Sequence, residues 1–398
     1  MAESRQPLIE STVISDPGIF TLDAVFDSVT MRTCLREVFP DQWGPIQDIQ
    51  FKILKHHRGK RCTLEFALRT AKAWSYMIGK VYAADRSDVY RAMDAISRAG
   101  FGPHDEFSIP QPLAYVPALR LLLQERVQGP RAKQIFLTGS ERDRAMASER
   151  CAQWLATFHA TAPRSGCLFD LTHQMDSIER WSKTIAKLGE PLASQVSQLS
   201  ERVQRDAPST NGRELCAGHG SYNCNQIILT EDRTVTFDWD GYDVADPCRD
   251  LARFLVALQR LALKYLGSFR GLDAVADVFL KTYQSLTPFE VGPDLSWYRA
   301  LTCLRLAKYE ASRPVCTFRD GIEDSFAVGS HLDSQGLVAL NASSAADQNA
   351  FAVTKATQQK YNLTKLSDLA PIGNQLVLGA GPECPTRPFL IRLCWLVS

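Results

Sequence analysis

The stretch 217-AGHGSYNCNQIIL-229, with 236-TFDWDGYDVADPCRDLARFL-255 after it, decides how this chain is read. The overlapping segment 226-QIILTEDRTVTFDWD-240 sets apolar runs on either side of a polar tetrad, which predicts strand, turn and strand. Asp246 then stands where a helix N-cap belongs and Pro247 at the first helical position, so a helix should open here. Asp238 and Asp240 therefore fall at the end of a strand, a few residues before that helix.

Upstream, the pattern is strand-rich. The segment 49-IQFKILKHHRGKRCTLEFAL-68 alternates apolar and polar residues around HHRGK, predicting two strands and a tight turn, and 74-WSYMIGKVY-82 reads as a third strand. In 86-RSDVYRAMDAISRAG-100, Val89, Met93 and Ile96 have helical spacing before Gly100, and 119-LRLLLQERVQG-129 is another buried strand. From 140 onward the periodicity turns helical, through 141–160, 174–188, 273–286 and 297–311. An α-rich part thus follows a β-rich one.

The chain has 398 residues, 45% of them hydrophobic, enough to bury a large core in two or three domains. Lys+Arg of 45 against Asp+Glu of 44 gives a net charge of +1, without the basic excess that nucleic-acid binding draws on. The eleven cysteines include no Cys-x-x-Cys and no zinc-ligand spacing, and read as reduced thiols. The first residues, 1-MAESRQPLIESTVISDPG-18, lack the basic start and apolar run of a secretory signal. The most apolar helical stretch, 251–266, is interrupted by Arg253, Gln259, Arg260 and Lys264, so no membrane span is expected. The expected location is cytoplasmic.

In motif order, residues 45–325 resemble the aminoglycoside phosphotransferase and choline kinase group of small-molecule kinases. The resemblance implies an α+β, two-lobed protein-kinase-like fold: an N-terminal extension (1–44), a β-rich N-lobe (45–128) and a helical C-lobe (129–330). It also implies ATP and Mg2+ in the cleft between the lobes, with a small hydroxylated acceptor such as an amino alcohol or sugar. Lys80 falls where the family holds the ATP phosphates, although a lone strand lysine can equally be a solvated one. Its acidic partner would be Asp94 or Asp88 on the next helix. Gln124, Glu125 and Val127 fall in the hinge whose backbone meets adenine, and HHRGK is either the phosphate-covering turn or an ordinary hairpin turn. Asp238 occupies the magnesium-chelating position, and Asp240 is a candidate second carboxylate or substitute base. Asp246, Asp250, His159 and His219 read as structural.

The chain departs from the family where the chemistry is concentrated. Active relatives follow His-Gly with an Asp that accepts the acceptor's proton and, five positions later, an Asn that binds metal. Here those positions are Ser221 and Gln226. A serine hydroxyl is not a base at neutral pH, which removes a contribution of roughly 10²–10⁴-fold. Phosphoryl transfer leans on positioning and charge, so the loss slows it without forbidding it. Gln226 keeps a carbonyl oxygen, one methylene further out. Two readings stand: a slow small-molecule kinase, or a nucleotide-binding pseudokinase.

The end of the chain has another character. Residues 335–389 resemble the middle of the solute-binding proteins of glycine-betaine and osmoprotectant ABC transporters, on the run QGLVALNASSAADQN, then LSDL, then the Glu-Cys of GPECP. This implies a partial α/β segment over 331–398, in which Asp347, Gln348 and Asn349 fall at an inter-lobe crossing, and a remnant link to an osmoprotectant transport system. Solute binding is a third functional alternative. A chimeric chain accounts for both halves, with poor packing expected over 335–398 and exposed apolar surface at 389-FLIRLCWLV-397.

Overall fold

Alternation in consecutive strands builds the first lobe. In the computed structural model, which describes residues 14–312 apart from 41, 43, 72, 191, 210–213, 290 and 293, strands β1 (Asp48–His57), β2 (Arg61–Arg69) and β3 (Trp74–Tyr82) pair antiparallel. The β1–β2 turn is tight because Gly59 takes φ +66°, the left-handed conformation that a short hairpin needs. Helix α1 (Leu22–Phe26) and helix α2 (Ser28–Val38) precede the sheet, and α3 (Ser87–Arg98) follows it. After the two-residue β4 (Phe107–Ser108), strands β5 (Pro112–Val116) and β6 (Leu121–Glu125) complete a sheet of order β1-β2-β3-β6-β5.

Every second residue of this sheet enters one apolar core. Cys62, Leu64, Phe66, Met77, Val81, Leu121 and Leu123 pack against Leu22, Val25, Met31 and Leu35 of the two N-terminal helices. Among the described residues, the weak pattern ahead of residue 45 thus conceals two helices. Their signal is short, since Asp27 ends α1 and caps α2 by accepting a hydrogen bond from the Thr30 amide at 2.9 Å.

The second lobe is helical: α4 (Ala132–Thr138), α5 (Glu141–Thr161), α6 (Leu171–Ala186), α7 (Leu192–Arg205), α8 (Cys248–Leu266), α9 (Asp273–Leu286) and α10 (Asp294–Ala311). Short strands sit among them: β7 (Cys167–Leu168), β8 (Cys216–Gly218), β9 (Ile227–Leu229), β10 (Thr234–Thr236) and β11 (Asp243–Ala245). The pair β9–β10 is the strand, turn and strand expected from 226–240, and β10 also pairs with β4. Helix α8 starts one residue later than the Asp-Pro signal implies: Asp246 accepts from the Cys248 amide at 2.8 Å, and Pro247 precedes the first turn.

An aromatic stack holds this lobe together. Trp154 is fully buried, with its ring 5.1 Å from Phe158 and 5.6 Å from Tyr222, and Phe254 stacks on Phe279 at 3.9 Å. Among the described residues no helix is long and apolar enough to cross a membrane. The expectations for residues 335–398, including Asp347, Gln348 and Asn349, and for a boundary near 330 lie outside the described residues.

Candidate functional site

The residues that alternate away from the first lobe's core form one wall of a cleft. Register pairs Arg61 with Tyr82, Thr63 with Lys80 and Glu65 with Ile78, while Gln124 of β6 faces Ile78. The pleat therefore presents Arg61, Thr63, Glu65, Ile78, Lys80 and Gln124 together. They line a cavity of about 840 Å³ whose other walls include Val127, Gln226 and Asp238.

At its inner end Lys80 is 5% exposed and donates to Asp238 Oδ1 at 2.7 Å and to Asp240 Oδ1 at 3.1 Å. These, and not the carboxylates of α3, are its partners. Asp94 pairs with Arg98 at 2.7 Å along the helix surface, and Asp88 pairs with Arg86 at 3.0 Å. The reason is placement: the cleft-facing lysine meets the strand end that carries Asp238, while α3 keeps its acids in its own ion pairs. Burial pushes the Lys80 pKa down, and Asp238 works against that shift. Burial also works to raise the Asp238 carboxyl, but Lys80 and Arg61 outweigh it and hold it well below the usual carboxylate range.

Asp238 has φ +77°, a left-handed conformation rare outside glycine, and it leads into a 3₁₀ turn over Trp239–Gly241. The opposite loop fits against that turn. Gly220 has φ +74°, and a Cβ there would stand 1.9 Å from the Gly241 carbonyl oxygen, so only glycine allows the approach. Asp250, 2% exposed at the start of α8, accepts the His219 amide at 2.7 Å and the Gly220 amide at 3.0 Å. His219 is buried, its Nε2 is 3.2 Å from the Phe237 carbonyl, and burial lowers its pKa, so it is a neutral brace. His159 is likewise buried, with Nδ1 2.7 Å from the Tyr283 hydroxyl. Both histidines take the structural role read from the sequence.

Ser221 and Gln226 come together in a neutral network. Gln226 Nε2 donates to Ser221 Oγ at 3.1 Å and to Asp238 Oδ2 at 3.2 Å, while Gln226 Oε1 accepts from Asn223 Nδ2 at 2.8 Å. Asn223 Nδ2 also donates to the Ser221 carbonyl at 2.7 Å, which fixes its orientation and, through it, that of Gln226. Asp240 is surrounded by donors: Lys80, the Tyr82 hydroxyl at 2.8 Å and the guanidinium of Arg61. A carboxylate so engaged is poorly placed to act as the substitute base.

The donor set does not suit a magnesium ion. Gln226 turns an N–H, not an oxygen, to Asp238, and both carboxylates already face side-chain cations, whereas Mg2+ demands oxygen ligands in near-octahedral array.

The hinge is narrower than the sequence implied. Gln124 is paired within the sheet and the Glu125 amide donates to the Gln111 carbonyl at 2.8 Å. The Glu125 side chain bridges to Arg233 of the β9–β10 turn at 2.8 Å, so it joins the lobes. Val127 lines the cavity and has no backbone hydrogen bond among the described residues. In the HHRGK turn, the Gly59 amide and His56 Nε2 are both taken by Asp16, each at 2.7 Å. Arg61, Tyr82, Asn223 and Asp16 were missed in the sequence. For Arg61 a signal existed, since it stands one pleat repeat from the residue opposite Lys80.

Residues 74–301 match the family model described as the phosphotransferase enzyme family, more than half of the chain. The chain belongs to this family. The match runs from β3, which carries Lys80, into α10, and so includes every cleft residue named above except those of β1 and β2. Residues 322–392 match a second model, the substrate binding domain of an ABC-type glycine betaine transport system.

Solved structures of similar fold accompany the family match. A Ralstonia eutropha JMP134 protein assigned to the aminoglycoside phosphotransferases superposes with TM-score 0.57 at 16% identity, over 77% of this chain and 97% of its own. Choline kinase from Cryptosporidium parvum Iowa II gives 0.54 at 13%, over 78% and 98%, and choline kinase LicA from Streptococcus pneumoniae 0.53 at 12%, over 77% and 100%. At these identities the likeness establishes the kinase-like fold. No curated protein matches the chain.

Proposed function

We propose that the cleft binds a nucleoside triphosphate, and that the protein passes the terminal phosphoryl group to a small hydroxylated acceptor slowly, without a carboxylate base at the acceptor. The observation that carries this reading is the Lys80–Asp238 pair, 2.7 Å long and set at the inner end of a cavity of about 840 Å³. Family membership gives phosphotransferase chemistry its standing. In this reading Lys80 meets the phosphates and the open backbone of Val127 meets the base. Gln124 and Glu125 shape the hinge rather than contact the nucleotide. Ser221 stands where the acceptor hydroxyl arrives, able to exchange a hydrogen bond with it but not to hold its proton.

A binding protein without turnover is the second reading, favoured by the way Ser221 and Gln226 satisfy each other at 3.1 Å. Measuring ADP release from ATP by the full chain and by Ser221→Asp, with a panel of amino alcohols and sugars, separates the two. A slow wild-type rate that rises by about 10²–10⁴-fold in Ser221→Asp supports transfer. No turnover in either protein, with a nucleotide-induced rise in melting temperature, supports binding alone. No such rise with any nucleotide overturns both.

A further inference from the structure

Positive charge already stands between the two carboxylates. Arg61 leaves β2 beside Lys80, contacts Asp240 and has its Nη1 3.6 Å from Asp238 Oδ1, the same oxygen that Lys80 holds at 2.7 Å, and Lys80 also contacts Asp240. Two side-chain cations against two carboxylates leave the cluster neutral. A divalent cation entering here would have to displace Arg61 from a position where its side chain is 22% exposed, and would meet an amide N–H from Gln226. Of the other charged groups in the cavity lining, Glu65 is held by Arg126 at 2.9 Å and Glu125 by Arg233 at 2.8 Å, while Lys55 and Arg131 add positive charge for an approaching anion.

We propose that this cleft binds the polyphosphate chain of a nucleotide without a divalent cation, with the Arg61 guanidinium doing what a metal would do there. The proposal rests on the nucleotide reading above. An arginine suits the role: its planar fork keeps one edge on Asp240 and turns another N–H pair to phosphate oxygens, a bidentate geometry that lysine lacks. Tyr82, donating to Asp240 at 2.8 Å, holds the carboxylate that aims it.

The test is a calorimetric or thermal-shift titration of the full chain with ATP in EDTA and with ATP in excess magnesium chloride. The expected result is binding of similar strength in both. Arg61→Ala should weaken the EDTA affinity by about 10- to 100-fold, the worth of one charge-assisted contact, and Arg61→Lys should recover only part of it. Wild-type ATP binding that requires magnesium, and is unchanged or tighter in Arg61→Ala, overturns the proposal while leaving the nucleotide reading intact. Absence of binding by the wild type in both media overturns the nucleotide reading itself.

Discussion

Asp250 is the residue on which the geometry of the opening loop depends, and replacing it gives a quantitative test. Its carboxylate is 2% exposed and accepts the amides of His219 and Gly220 at 2.7 and 3.0 Å, with His159 Nε2 at 3.6 Å. In Asp250→Ala both amides lose their acceptor where water does not reach, at about 1–3 kcal/mol for each unsatisfied donor, so roughly 2–6 kcal/mol in all. For a unit of this size about 2 °C per kcal/mol is reasonable, which places the fall in melting temperature at roughly 4–12 °C. Asp250→Asn is isosteric but must turn an NH2 toward one donor, so about half the loss is expected. Burial tends to raise this carboxyl, yet the contact with His159 and the charge of Arg249 outweigh it and hold its pKa below the usual value. A depressed carboxyl stabilises the fold above its unfolded pKa of about 3.9, and that contribution fades as pH falls through the lower folded value. The gap between wild type and Asp250→Asn should therefore be flat above about pH 4 and narrow below it. The assay is urea denaturation of all three proteins across pH 3 to 8. A cost under about 1 kcal/mol for Asp250→Ala would refute the claim that the two amides depend on it.

The remaining predictions concern neighbouring positions. Gly220→Ala places a Cβ 1.9 Å from the Gly241 carbonyl and also imposes left-handed strain, so nucleotide-induced stabilisation should disappear with far-UV circular dichroism unchanged; an unaltered thermal shift would contradict the packing of the two loops. Burial raises the Asp243 carboxyl to about 6, against the pull of Arg249. A carboxyl raised on folding binds its proton more tightly in the native state, so stability should decline as pH rises from about 4 to beyond 6. Asp243→Asn should flatten that part of a melting-temperature profile, and an equal slope in the variant would count against it.

Much of this was legible in the sequence because it rests on short-range patterns. Alternation gave β1, β2 and β3, helical spacing gave α3, α5 and α8, and the motif order carried Lys80, Ser221, Gln226 and Asp238 to one cleft. What the sequence hid depends on approach between distant segments. The partner of Lys80 lies 158 residues away on another lobe, whereas the local pattern offers the acids of the next helix, Asp94 and Asp88. Amide orientation was equally hidden, since Gln226 presents nitrogen to Asp238 only because Asn223 holds its oxygen. The two N-terminal helices escaped because α1 spans only five residues and α2, with eleven, buries only Met31 and Leu35 to mark its face.

The departures at Ser221 and Gln226 and the presence of Arg61 belong to one electrostatic arrangement. With Arg61 and Lys80 set against Asp238 and Asp240, the cluster needs no further charge, and the neutral Ser221–Gln226–Asn223 network adds none. A carboxylate at position 221 would be a third negative group beside Gln226 and Asp238, repelled by Asp238 unless another cation entered to balance it. Serine at this position is thus consistent with an arginine in the cleft, and the combination Ser221→Asp with Arg61→Ala should behave differently from the sum of the two changes. Their coupling follows from the shared Asp238: removing one positive charge while adding one negative leaves the double variant with the greatest demand for a cation of any of the proteins compared.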